Sequence, residues 1–79
     1  MKMYEVLDNV SMWLDEPRNR CVEDQLYLIG HCSKKYRKEA LKNIITARIY
    51  QGLNVDPSTL SPVFIGRCVG VMWRWYYTD

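Results

Sequence analysis

Three thiols and one imidazole, Cys21, Cys32, Cys68 and His31, are the side chains best suited to ligate a soft metal or to pair a nucleophile with a base. Their spacing argues against both roles. Structural zinc sites present ligands in pairs about two to four residues apart, whereas here only His31 and Cys32 are close, and they are consecutive. An odd number of scattered cysteines is no disulfide framework. The expectation is three free thiols in a reducing cytoplasm, with Cys21, Cys32 and Cys68 as small apolar filler. The carboxylates Asp8, Asp15, Glu16, Glu23 and Asp24 gather early but at ordinary surface positions. A single histidine, no glycine-rich phosphate loop and a chain too short to enclose a sizeable pocket leave no catalytic constellation. No enzyme activity, metal, cofactor or small-molecule substrate is expected.

Two other clusters have chemistry to offer. The first is Ser33-Lys34-Lys35-Tyr36-Arg37-Lys38, followed by Lys42 and Arg48. Lys34, Lys35, Arg37, Lys38 and Lys42 could neutralise phosphates as the start of a recognition helix. Leu26, Ile29, Gly30, Ser33 and Tyr36 follow a loose helix-turn-helix rhythm, but His31 falls where the turn wants an apolar residue and Glu39 where a core contact is wanted. The plainer reading is a solvated helix face. The second cluster is the aromatic end, Trp73-Arg74-Trp75-Tyr76-Tyr77. Trp, Tyr and Arg dominate interface energetics. Arg67, Trp73, Arg74, Trp75 and Tyr77 are therefore the candidate partner-binding residues. On a helix Trp75 points away from Trp73 and Tyr77, so one core cannot hold them all.

Four helices must position these residues, at about 3–14, 17–30, 33–51 and 61–77. Tyr4, Leu7, Val10, Ser11 and Leu14 form the stripe of the first, widened by Val6 and Trp13, with Asp8, Asn9 and Asp15 on its other side. Pro17 ends it and opens the second, whose inward stripe is Val22, Leu26 and Ile29. Ser33 caps the third, and Tyr36, Ala40, Leu41, Ile44, Ile45, Ala47 and Ile49 form its apolar face before Gly52. The loop from Leu53 to Leu60 has room for one tight turn after Asp56. Ser61-Pro62 is a cap followed by a first-turn proline. The fourth helix is then apolar nearly all round except for Arg67 and Arg74, which makes it the centre of the bundle or the part that continues into a partner. Gly66 and Gly70 share a stripe with Trp73 and Tyr77 and would let another helix come close. Strand is the competing reading for Cys68 to Tyr77, because Val, Trp and Tyr favour sheets.

The chain of 79 residues thus reads as one all-α domain, residues 1–79, a compact bundle of about four short helices with the C-terminal helix central. Its hydrophobic fraction of 48% and charged fraction of 25% suit a folded domain, not a disordered tail. Aromatic residues reach 13%, more ring surface than so thin a core can hide. A net charge of +2 is too weak a bias to imply nucleic acid by itself. The longest apolar run, Val63 to Trp73, is too short to span a bilayer and carries Arg67.

With WLDEP near the start and MWRWYY at the end, the chain resembles the small orphan accessory proteins of temperate phages and prophages. That resemblance implies a cytoplasmic inhibitor or regulator that binds a host protein, and it assigns no role to any residue. Three readings remain open. The first is a protein-binding module that takes a protein partner or a second copy of itself, as a homo-oligomer such as a homodimer. The second is a nucleic-acid-binding regulator using the basic run. The third is a structural subunit of a larger assembly.

Overall fold

The computed structural model describes residues 1–77 of the chain. Four helices follow one another: α1 (Met3–Asp15), α2 (Arg20–Leu28), α3 (Lys34–Gly52) and α4 (Pro62–Tyr77). Short 3-10 turns at Pro17–Asn19, Ile29–His31 and Pro57–Thr59 lie between them. Among the described residues there is no strand, and Cys68 to Tyr77 is helical. The lone strand that β propensity would allow there has no neighbour to pair with.

Local chemistry accounts for each boundary. Glu16 precedes Pro17 and takes the extended conformation that a following proline imposes. The Asn19 amide then donates to the Trp13 carbonyl at 2.7 Å, satisfying an acceptor at the end of α1. Ser33 caps α3: its hydroxyl oxygen accepts the Tyr36 N–H at 3.2 Å. At the far end, Asn54 adopts a left-handed φ of 56°, which short polar side chains tolerate. Asp56 then holds the expected tight turn by accepting from the Ser58 N–H and hydroxyl, and these bonds keep its carboxyl below the usual range. Ser61 accepts the Val63 N–H at 3.1 Å and opens α4.

The core is entirely apolar and draws on all four helices. Val6, Val10 and Leu14 of α1 meet Leu26 of α2, Leu41, Ile45 and Ile49 of α3, and Cys68 and Met72 of α4. α4 packs against each of the other three helices. One side of it nonetheless stays open: Val63, Gly66, Arg67, Gly70 and Arg74 are exposed. Its apolar composition is therefore not matched by burial all round.

Several side chains depart from the pattern the periodicity predicts. Tyr4, Tyr36 and Ala47 lie outside the core, because the inward faces of α1 and α3 are centred on Val6–Val10 and Leu41–Ile45. Asn9, expected on the solvent side, turns inward to accept from Nε and Nη2 of Arg48, both at 3.3 Å. The same guanidinium covers the Trp13 ring at 5.1 Å. Arg48 thus clamps α1 to α3 and is no part of the basic run. Gly52 makes room for the clamp, since a Cβ there would collide with the Asn9 and Arg48 side chains. Cys68 is the only cysteine that fills core space; Cys21 and Cys32 are exposed.

The glycines separate structural need from surface choice. A Cβ at Gly66 or Gly70 meets nothing within 4 Å, and alanine is favoured over glycine inside a helix by about 0.5–1 kcal/mol. Gly66→Ala and Gly70→Ala should each raise stability by about that amount in urea melts. Gly52→Ala should give no gain or a loss, because it breaks the clamp. Leu41→Ala, which empties a fully buried site, should cost about 2–5 kcal/mol in the same melts.

Candidate functional site

The start of α3 lies beside the end of α4, so the two helices run antiparallel and their contact joins the basic run to the aromatic end. Helical spacing of four residues puts Lys34, Lys38 and Lys42 on one flank of α3. Trp73 is the hub of the contact. The Arg37 guanidinium carbon lies 4.7 Å from its ring centre, Lys34 Nζ 5.7 Å and Lys38 Nζ 5.9 Å. Arg37 also covers Tyr77 at 5.3 Å, and the Trp73 and Tyr77 rings meet edge to face at 5.1 Å. Cation–π contacts of this kind contribute about 0.5–2 kcal/mol each, more as water is excluded. The Arg37 Nε is buried and has no hydrogen-bond partner, so the two ring faces are its compensation.

The tyrosines tie this corner to α2. Tyr77 donates its phenol proton to the Leu26 carbonyl at 2.6 Å, and its ring lies over Gly30. Tyr76 stacks edge to face on Tyr27 at 5.3 Å. Burial, reinforced by the charges of Glu23 and Asp15 and by the neighbouring Tyr27 and Tyr77, pushes the Tyr76 phenol up to about 12. Tyr77 is also raised by burial, partly offset by Arg37.

Between Trp73 and Pro62 the two helices leave an open groove of about 710 Å³ along one side of their contact. Lys34, Lys38, Lys42 and Thr46 form its α3 wall, with Glu39 at the rim. Ile65, Gly66, Val69 and Gly70 of α4 form its floor, and Trp73 closes one end. Pro57, Ser58, Leu60 and Pro62 close the other. From Lys34 to Thr46 the wall is about 18 Å long at the helical rise. The short chain does form a hollow of this size, but as an open trough between helices and not as an enclosed pocket. Among the described residues the one ion pair is Arg18 with Glu16, at 2.6 Å. The lysines of the wall therefore face the groove with no carboxylate in salt-bridge reach.

The two sets of residues singled out by sequence are regrouped. Trp73 and Tyr77 join Lys34, Arg37 and Lys38 in one corner, and Lys42 continues the wall. Lys35 is exposed outside the groove. Arg67 and Arg74 lie on the solvent side of α4, exposed and outside the groove lining. Trp75, 46% exposed, lies roughly 200° round the helix from Trp73. Sequence reasoning overlooked the floor residues Ile65 and Val69 and the wall residue Thr46. The four-residue repeat of Lys34, Lys38 and Lys42 beside that of Gly66 and Gly70 is the signal that could have found the groove.

Other chemistry is sparse. Burial raises the Cys68 thiol above its ordinary range. Among the described residues no three His, Cys, Asp or Glu side chains gather closely enough to hold a metal ion. No helix among them is long and apolar enough to cross a membrane. A shallower hollow between α1 and α2 carries Asp15, Glu16, Glu23 and Asp24, with Arg20 among them. No family model, curated protein or solved structure matches the chain.

The buried phenols make a pH prediction. A folded-state value above the ordinary one means that the unfolded chain loses its phenol protons first as pH rises. Stability should hold up to about pH 10, the ordinary tyrosine value, and fall between there and about 12. Tyr76→Phe should flatten part of that decline. Urea melts across this range, with phenolate absorbance followed in parallel, measure both effects.

Proposed function

We propose that the chain is a non-enzymatic binding module whose α3–α4 groove takes an acidic, amphipathic segment of a protein partner. The observation that carries this reading is the composition of the groove: an apolar floor beside lysines that, among the described residues, have no carboxylate in salt-bridge reach. Apolar side chains of a ligand would lose water on Ile65, Val69 and Trp73, and its carboxylates would meet Lys34, Lys38 and Lys42. Gly66 and Gly70 support the same reading. Nothing in the fold needs them, and each lowers helix stability relative to alanine, yet together they keep the trough open. Trp73 is held by Arg37 over its ring and by Tyr77 edge to face, so a ligand meets a restrained ring, which limits the entropy lost on binding. Arg67 and Arg74, on the adjoining solvent face, extend the positive field that would steer an acidic partner. Such a module suits an accessory inhibitor or regulator of the kind the phage-protein resemblance implies, working in the reducing cytoplasm with Cys21 and Cys32 as free thiols.

A helical probe peptide with leucine and glutamate repeating at four-residue spacing tests the groove. Amide shifts on titration should map to Lys34, Lys38, Lys42, Gly66 and Gly70. Gly70→Leu should fill the trough, leave melting unchanged or higher, and weaken the peptide about tenfold or more. Shifts confined to another face, or a Gly70→Leu variant that binds as well as the parent, would overturn the reading.

A second reading has one observation in its favour. Lys34, Lys35, Arg37, Lys38 and Lys42 all lack an ion-pair partner among the described residues, as phosphate-binding residues do before they meet nucleic acid. Against it, Arg37 is committed to two rings and Glu39 stands at the rim. Fluorescence anisotropy of a labelled DNA duplex at low and high salt separates the two. A nucleic-acid module must bind at low salt and weaken steeply with added salt; no binding at low salt removes this reading.

A further inference from the structure

Resting on the reading of the groove as a protein-binding site, we infer that its occupant is the outward face of α1 from a second copy of this chain. α1 turns Val6, Leu7, Val10 and Leu14 to the core. The opposite stripe carries Tyr4, Glu5, Asp8, Met12 and Asp15, all exposed, with Tyr4 at 59% and Met12 at 72%. This stripe holds three carboxylates, with Lys2 reaching over the Tyr4 ring at 5.9 Å from just ahead of the helix, and it offers two large, mostly exposed side chains in Tyr4 and Met12. It is an acidic amphipathic face of the kind the groove calls for.

The dimensions agree. Tyr4 and Met12 are eight residues apart, as are Lys34 and Lys42, a span of about 12 Å on each helix. On α1, Asp8 lies midway between Tyr4 and Met12 on one stripe, so a helix laid along the trough brings Asp8 within reach of the lysine wall as Tyr4 and Met12 come down on either side of it. Among the described residues none of the three carboxylates and none of the three lysines is in an ion pair. The charge of the whole molecule is divided in the same sense. Residues 1–31 hold six of the nine acidic residues and only three of the eleven basic ones. The acidic hollow between α1 and α2 is concave and cannot enter a trough, which leaves the convex face of α1 as the complementary surface.

The position of the two faces sets the geometry of assembly. α1 packs on both α3 and α4 yet lends no residue to the groove, so it covers the other side of that pair. Donor face and acceptor groove thus point in opposite directions on one copy. Docking is head to tail, and each added copy presents a fresh groove or a fresh α1, giving a ring of three or more copies or open-ended growth in place of a closed pair.

Sedimentation velocity over a concentration series at low and high salt tests the proposal. At low salt the average mass should climb beyond two copies, and added salt should return it toward one. Asp8→Lys spoils the donor face and Gly70→Leu fills the groove, both at exposed sites, so neither variant should melt below the parent. Each alone should associate about tenfold or more weakly. An equimolar mixture retains one intact α1 face and one intact groove per pair, and should form a two-copy complex that grows no further. A parent that stays monomeric throughout, a mass that stops at two copies, or variants that assemble like the parent would each overturn head-to-tail docking. If the parent stays monomeric while the acidic probe peptide still binds the trough, self-docking fails and the groove reading stands. If neither binds, both fail.

Discussion

The position of Arg37 is the constraint on which the rest of the site depends. Its guanidinium is held against Trp73 and Tyr77, and its Nε has no other partner. This contact fixes how closely the start of α3 approaches the end of α4. It substitutes ring faces for the aliphatic packing that joins the two helices further along, where Leu41, Ile45 and Ile49 meet Cys68 and Met72. Beside this corner the rows of Lys34, Lys38 and Lys42 and of Gly66 and Gly70 stay exposed and do not close into core. The trough is the space that remains, with lysine stems on one side and a glycine-interrupted helix on the other.

The helices were legible because their ends carry local chemistry. Ser33, Gly52 and Ser61-Pro62 place the boundaries within about one residue of the observed spans, as capping and proline effects act over a single turn, whereas the second helix, expected over 17–30, is α-helical only over Arg20–Leu28, with 3-10 turns at Pro17–Asn19 and Ile29–His31 on either side. Ser33 and Ser61 are caps and not helical residues, and the first and third helices each run one residue further than the periodicity indicates. Burial was less legible. Tyr4 and Tyr36 look inward by spacing alone, yet small rotations of α1 and α3 leave them on the surface. Asn9 shows the converse: a polar side chain drawn inward by Arg48, thirty-nine residues away. The groove could not be read directly, because it belongs to neither α3 nor α4 alone. Sequence spacing shows a lysine row and a glycine row. Only the antiparallel docking of the two helices sets one against the other.

The unequal division of charge gives the molecule two unlike faces. The acidic side is built on α1 and α2, the basic side on α3 and α4, and the apolar core between them contains no buried polar or charged side chain. Surface charge of this kind contributes little to stability, since exposed pairs are weak and here almost absent. Its effect falls on encounter: a positive trough attracts negative surfaces over about a Debye length, roughly 8 Å in physiological salt.

The bond from Tyr77 to the Leu26 carbonyl closes a loop of fifty-one residues. Helical turns form early and locally, whereas a link of that span waits for loop closure, which carries the larger entropic cost. The Arg37 stack and the trough beside it depend on the same docking of α4. A chain caught part-way, with α1 to α3 formed and α4 loose, would have neither the stack nor the trough. Occupancy of the trough then reports that folding is complete, and any bound ligand draws the population toward that finished state by mass action.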